Sequence, residues 1–224
     1  MAKRLRRWRA AARFGSAELR LLRERRLIAS SELFDETLYL YEAPDVMREE
    51  AEPIEHFCRF GWREGRRPNL YFDPLWYRDR YLKEADQNPL VHYLTVGEAS
   101  GCRPVCYFDP HWYARTYGLP RRVCALAHFL THRRSQRFAP NPNFDLAFYL
   151  DRYGVEIGPN RDPFAHHLRF GAVRDIDPSP YFDSKRYRHS KMTAPPRGCA
   201  HPGQRPICAY LSSTTWTRNV AAPE

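Results

Sequence analysis

Aromatic and polar residues recur along this chain in a fixed order. Phe-Asp stands at Phe34-Asp35, Phe72-Asp73, Phe108-Asp109, Phe144-Asp145 and Phe182-Asp183, at intervals of 38, 36, 36 and 38 residues. Five positions after each Phe comes Tyr39, Tyr77, Tyr113, Tyr149 or Tyr187, and a second tyrosine follows at Tyr81, Tyr117 and Tyr153. A histidine comes next, at His56, His92, His128 and His166. In three units it has a proline three residues before it (Pro53, Pro89, Pro163) and a glycine five after it (Gly61, Gly97, Gly171). The third unit carries Ala125 and Arg133 in those slots. A proline lies twelve residues after every histidine: Pro68, Pro104, Pro140 and Pro178. A period in this range marks stacked supersecondary units.

Each slot predicts a local structure. Asp73-Pro74 and Asp109-Pro110 pair an N-cap carboxylate with a first-turn proline, opening a short helix that carries Trp76-Tyr77 or Trp112-Tyr113. Trp76, Tyr77 and Tyr81 share one helical face. Asn88-Pro89 and Asp162-Pro163 open a second helix, and the glycine is expected to end it in the left-handed conformation. Neither helix can bury its aromatic stripe alone, so neighbouring units must stack. The expected fold is all-α, with tandem two-helix repeats stacked in an array. A basic amphipathic arm is expected over 1–27, four helical hairpins plus a partial fifth over 28–189, and a disordered tail over 190–224, where the periodicity is lost. So abrupt a loss of register is also what a truncated or frameshifted end would give.

Charge separates the arm from the body. The formal net charge is +10, and residues 1–26 hold ten of the 36 Lys/Arg against two acids. The rest of the chain is nearly neutral, which disfavours a globally basic nucleic-acid surface. The arm's Arg4, Arg6, Arg7, Trp8, Arg9, Arg13 and Phe14 suit contact with an anionic membrane surface. A solvated helical extension and binding to nucleic-acid phosphates are the competing readings. No stretch approaches the roughly 18 apolar residues of a spanning helix, and no apolar segment follows the basic start as in a secretory signal. The six cysteines, irregularly spaced, read as reduced thiols of a cytosolic protein.

The segments FDPLWYRDRY, PLVHYLTVG and HFCRFGWREGRRPNLYFD resemble the FDxxWYLxxxPDV…PLxHYLxxGxxEGRxPxxxFD repeats of bacterial surface-polysaccharide proteins. Those repeats flank or precede glycosyltransferase domains, including proteins of the rhamnan-synthesis type. The resemblance spans residues 28–189. It implies an accessory module associated with polysaccharide biosynthesis, with a glycan or a glycosyltransferase as partner.

Candidate chemistry is sparse. The histidine slot could form a metal- or glycan-binding ladder, or could simply pack each second helix on the first and bond backbone. The aspartates of Phe72-Asp73 and Phe108-Asp109 read as caps, and Trp76, Tyr77, His92, Trp112, Tyr113 and His128 as structural repeat positions. Asp175-Ile176-Asp177 matches the short D-x-D metal–diphosphate pattern but falls in a repeat-linking turn. No cysteine spacing fits zinc, and no phosphate loop, dinucleotide fingerprint or nucleophile elbow occurs. The turn Gly61–Arg67 is the best binding candidate. An exposed Trp62 beside Arg63, Arg66 and Arg67 could stack on a ring and clamp an anion, or Trp62 could seal the junction with the next unit.

The sequence therefore reads as a non-catalytic helical-repeat module, without catalytic residues, cofactor or metal. Its expected place is the cytoplasm, peripheral at the inner membrane face. Two alternatives stand beside it: a fragment of a glycosyltransferase whose catalytic domain is absent from the chain, and an RNA- or membrane-surface-binding adaptor acting through the arm.

Overall fold

In the computed structural model, which describes residues 2–83 and 86–186, with side chains from residue 15 apart from Ser16 and Ala172, each Phe-Asp pair up to Asp145 opens a helix. Asp35, Asp73, Asp109 and Asp145 accept from the backbone N–H of Leu38, Trp76, Trp112 and Phe148 at 2.9–3.0 Å. The fold is all-helical, with no β-strand among the described residues. A long helix α1 (Ala2–Ser30) leads. Unit one contains α2 (Glu36–Glu42), α3 (Pro44–Arg48) and α4 (Pro53–His56). Unit two contains α5 (Pro74–Tyr77) and α6 (Pro89–His92), and unit three α7 (Pro110–Thr116) and α8 (Ala125–His132). Unit four contains α9 (Leu146–Ile157), α10 (Pro163–His166) and α11 (Ala172–Arg174). No helix of the described residues is long and apolar enough to cross a membrane.

The second helices differ from expectation at their ends. In units one, two and four, α4, α6 and α10 run on as π-helical turns over Phe57–Gly61, Tyr93–Gly97 and His167–Gly171. Gly171 has φ −54°, an ordinary helical value, and neither Gly61 nor Gly97 has positive φ. The glycines therefore are not left-handed caps. They are required by close approach: a Cβ on Gly61 or Gly97 would collide with the hydroxyl of Tyr39 or Tyr77, and one on Gly171 would lie 2.7 Å from the His167 ring. Positive φ is found instead at Gly65 and Gly101, four residues further on in the linking turns, and also at Gly118 and Gly158. Unit three, with Arg133 in the slot, has no π turn. Its α8 is plain α-helix followed by a 3₁₀ turn over Arg133–Ser135.

One aromatic cluster is rebuilt in every unit. Phe34, Phe72, Phe108 and Phe144 lie 4.7–5.5 Å (ring centroids) from Tyr39, Tyr77, Tyr113 and Tyr149. Beneath them sits the residue after the repeat histidine: Phe57, Tyr93, Phe129 or His167, all buried. Units are joined through backbone. The N–H of Asp35, Asp73, Asp109 and Asp145 donates to the carbonyl of Pro68, Pro104, Pro140 and Pro178 in the linker to the next unit, at 2.7–3.3 Å. The invariant proline and the Phe-Asp cap thus form one repeated staple between units.

The array closes rather than running straight. Tyr71, from the linker between units one and two, is fully buried against Phe129 of unit three and Phe164 of unit four, with centroids at 4.8 and 6.1 Å. Its hydroxyl donates to Asp162, the cap of α10, at 2.7 Å. Tyr107, from the next linker, reaches the same centre, 5.7 Å from Phe164.

The arm expected over 1–27 does not end there. The helix continues to Ser30, and its second half lies across units one and two. Leu21 and Ile28 are buried, Arg25 pairs with Glu55 at 2.6 Å, and Glu18 pairs with Arg59 at 3.4 Å. The side chains of Arg4, Arg6, Arg7, Trp8, Arg9, Arg13 and Phe14 lie outside the described ones, as do Tyr187 of the partial fifth unit and the tail over 190–224.

Candidate functional site

The repeat histidines do not form a ladder of free ligands. Nδ1 of His56, His92, His128 and His166 bonds the hydroxyl of Tyr39, Tyr77, Tyr113 and Tyr149 at 2.7–2.9 Å. Packing on the preceding helix is as expected, but the partner is a side chain, not backbone. Burial raises the pKa of Tyr77 and Tyr113 and lowers that of His92 and His128. In those two units the phenol and the imidazole are therefore both neutral at neutral pH. No group of three or more His, Cys, Asp or Glu among the described residues is placed to hold a metal ion.

The Gly61–Arg67 turn is also occupied internally. Of the two readings of Trp62 the exposed one fails: the ring is buried, and its Nε1 donates to the Cys58 carbonyl at 3.1 Å. Arg63 lies 4.0 Å over the Trp62 ring and pairs with Asp86 at 2.7 Å. Arg66 grips Asp45 with both terminal nitrogens, at 2.7 and 2.6 Å, and Arg66 in turn holds the Asp45 carboxyl well below its ordinary range. Arg67 is buried and paired with Asp73. Arg103 repeats that pairing with Asp109 one unit later, at a more exposed position. So each of these caps uses one oxygen on helix amides and the other on an arginine from its own linker.

The remaining candidates are structural too. Asp177 of the D-x-D accepts from Ser184 N–H at 2.7 Å, and Asp175 adopts the left-handed turn conformation. Cys58, Cys102 and Cys124 are free thiols. Burial pushes the Cys58 and Cys124 thiols up to about 12, far from a reactive range.

The described surface has a concavity where unit one meets unit four. A groove of about 780 Å³ lies between α2 and the Glu64–Arg67 turn on one side and Leu168–Arg169 on the other. A second, of about 580 Å³, adjoins it and shares Leu38, Leu70, Ala165 and Arg169. At its base Arg133 reaches Asp35 of unit one at 3.5 Å and Asp162 of unit four at 3.4 Å. Thr131 hydroxyl bonds Glu32 at 3.2 Å beside it. Reasoning from the repeat missed this seam, although a signal was present. Arg133 replaces the repeat glycine, and Asp35 is the first cap in the chain, with no earlier linker to supply its arginine.

No family model, curated protein or solved structure gives a significant match to this chain. Its chemistry is therefore argued from the geometry above. The repeated polar side chains face one another inside units or across junctions, and in the second groove His166 Nε2 also meets Glu156 at 3.3 Å, with Glu156 held in turn by Arg174.

Proposed function

We propose that the chain is a non-catalytic helical-repeat module that provides a contact surface in bacterial cell-surface polysaccharide biosynthesis. One observation supports the non-catalytic part above others. The residues that recur in every unit are spent on the fold: each histidine gives Nδ1 to its tyrosine, and each aspartate gives an oxygen to its capped helix. The polysaccharide setting rests on the resemblance of the repeats, and a cytoplasmic setting on the free thiols of Cys58, Cys102 and Cys124. Incubation with a panel of nucleotide sugars is expected to give neither transfer nor hydrolysis; turnover of any of them overturns the reading. Deleting the gene is expected to alter surface polysaccharide, and an unchanged coat would remove the setting.

A second reading, docking at the inner membrane face, is favoured by the continuity of α1. Its second half is fixed to the body, while Lys3, Arg4, Arg6, Arg7, Arg9 and Arg13 precede any acid on the same helix. The test is binding to vesicles containing phosphatidylserine. Removing residues 1–14, which spares the docked half, should abolish it; retained binding rejects this reading.

A further inference from the structure

We propose that the smaller groove at the unit one–unit four seam is an oxyanion-binding site for a ligand carrying phosphate or carboxylate groups on a less polar body. Three arginines line it: Arg134 after α8, Arg161 before α10, and Arg169 in the π turn after α10. All three are exposed, and none is in an ion pair with another described residue. Elsewhere arginines at junctions are matched to acids, as Arg25, Arg59, Arg63, Arg66, Arg67, Arg103 and Arg174 are.

The acids of the groove cannot neutralise the three. Asp35 and Asp162 cap helices and share Arg133, and Glu156 is held by Arg174. Guanidinium groups present paired N–H donors that match carboxylate and phosphate oxygens. Leu38, Leu70 and Ala165 give the groove an apolar side against which a ring or chain can lie. Its volume of about 580 Å³ falls within the range of small-ligand sites. The three arginines come from the neighbouring units three and four, and closure of the array against unit one supplies the opposite wall with Leu38 and Leu70. The proposal goes beyond the contact-module reading, since a polysaccharide-associated scaffold needs no such ligand.

The experiment is calorimetric titration of the full chain at low salt with two probes, inorganic pyrophosphate and an oligogalacturonate. At least one is expected to bind saturably. R134Q/R161Q/R169Q should weaken it tenfold or more, while R115Q, an exposed arginine on α7, should leave it unchanged. Preference for pyrophosphate would assign a phosphorylated ligand, and preference for the oligogalacturonate an acidic glycan. R134Q and R169Q alone, each expected to weaken binding about threefold, keep the question answerable if the triple variant does not fold. Absence of binding by both probes, undiminished binding in the arginine variants, or equal loss in R115Q overturns the proposal. The sugar-turnover and gene-deletion results do not depend on any of these outcomes.

Discussion

At the scale of single residues, the fold depends on hydroxyl, imidazole and glycine fitting together. The Tyr77 hydroxyl occupies the space where a side chain on Gly97 would begin. Gly97→Ala should therefore cost about 1–3 kcal/mol through overpacking. Adding Tyr77→Phe removes the colliding oxygen and should recover part of that loss, so the double variant should be more stable in urea than the sum of the single effects. Strict additivity would show that the glycine serves some other purpose. His167 takes the slot that Phe57, Tyr93 and Phe129 fill in the other units, and burial lowers its pKa to about 3. The unfolded chain protonates this ring below pH 6.5, while the folded chain resists until about pH 3. Unfolding thus takes up a proton in that window, and stability falls as pH drops, by about 1.4 kcal/mol per unit. Going from pH 7 to pH 5 should cost about 2 kcal/mol from this site. His167→Phe should flatten the dependence, and an unchanged pH profile would contradict the assignment.

At the scale of elements, helix starts were legible in the sequence and helix ends were not. Asp-Pro and Asn-Pro specify an N-cap and first turn through local chemistry alone, which is why Asp73, Asn88, Asp109 and Asp162 cap where expected. At Gly61 and Gly97 the close neighbour is a tyrosine hydroxyl from the other helix, 22 and 20 residues away in sequence. A pattern read along one helix cannot show that. The caps also differ in ways their motifs hide. Asp73 faces Arg67, whose side chain is 3% exposed, whereas Asp109 faces Arg103 at 48%. Asp109→Ala should cost about 1 kcal/mol, the loss of a cap with a solvated ion pair. Asp73→Ala also strands a buried guanidinium and should cost about 3–5 kcal/mol. Urea midpoints of the two variants decide the matter, and equal losses would mean that Arg67 finds water or another partner.

At the scale of the whole molecule, a linear stack of repeats unfolds from its ends, because each unit touches only its neighbours. Here the first and fourth units also meet, through Tyr71, Asp162 and Arg133. That closure was only half legible. The loss of glycine in unit three was visible, but the purpose of Arg133 required its partners Asp35 and Asp162, 98 and 29 residues away in sequence. The contact has a measurable consequence for cooperativity. Arg133→Met keeps the aliphatic stem and most of the volume but removes the cation between two carboxylates. Asp162, whose pKa burial already raises, is left with the Tyr71 hydroxyl and its helix amides. A loss of about 3 kcal/mol is expected from the broken pair. It should shrink as pH falls, because a protonated Asp162 no longer needs the arginine. Closure also predicts where the loss appears. Wild type should unfold in one transition, while Arg133→Met should lose amide protection first in α10 and the Tyr71 linker, before the α5–α6 hairpin opens. Uniform loss of protection across all four units would mean that the staples between neighbours, and not the seam, couple the ends.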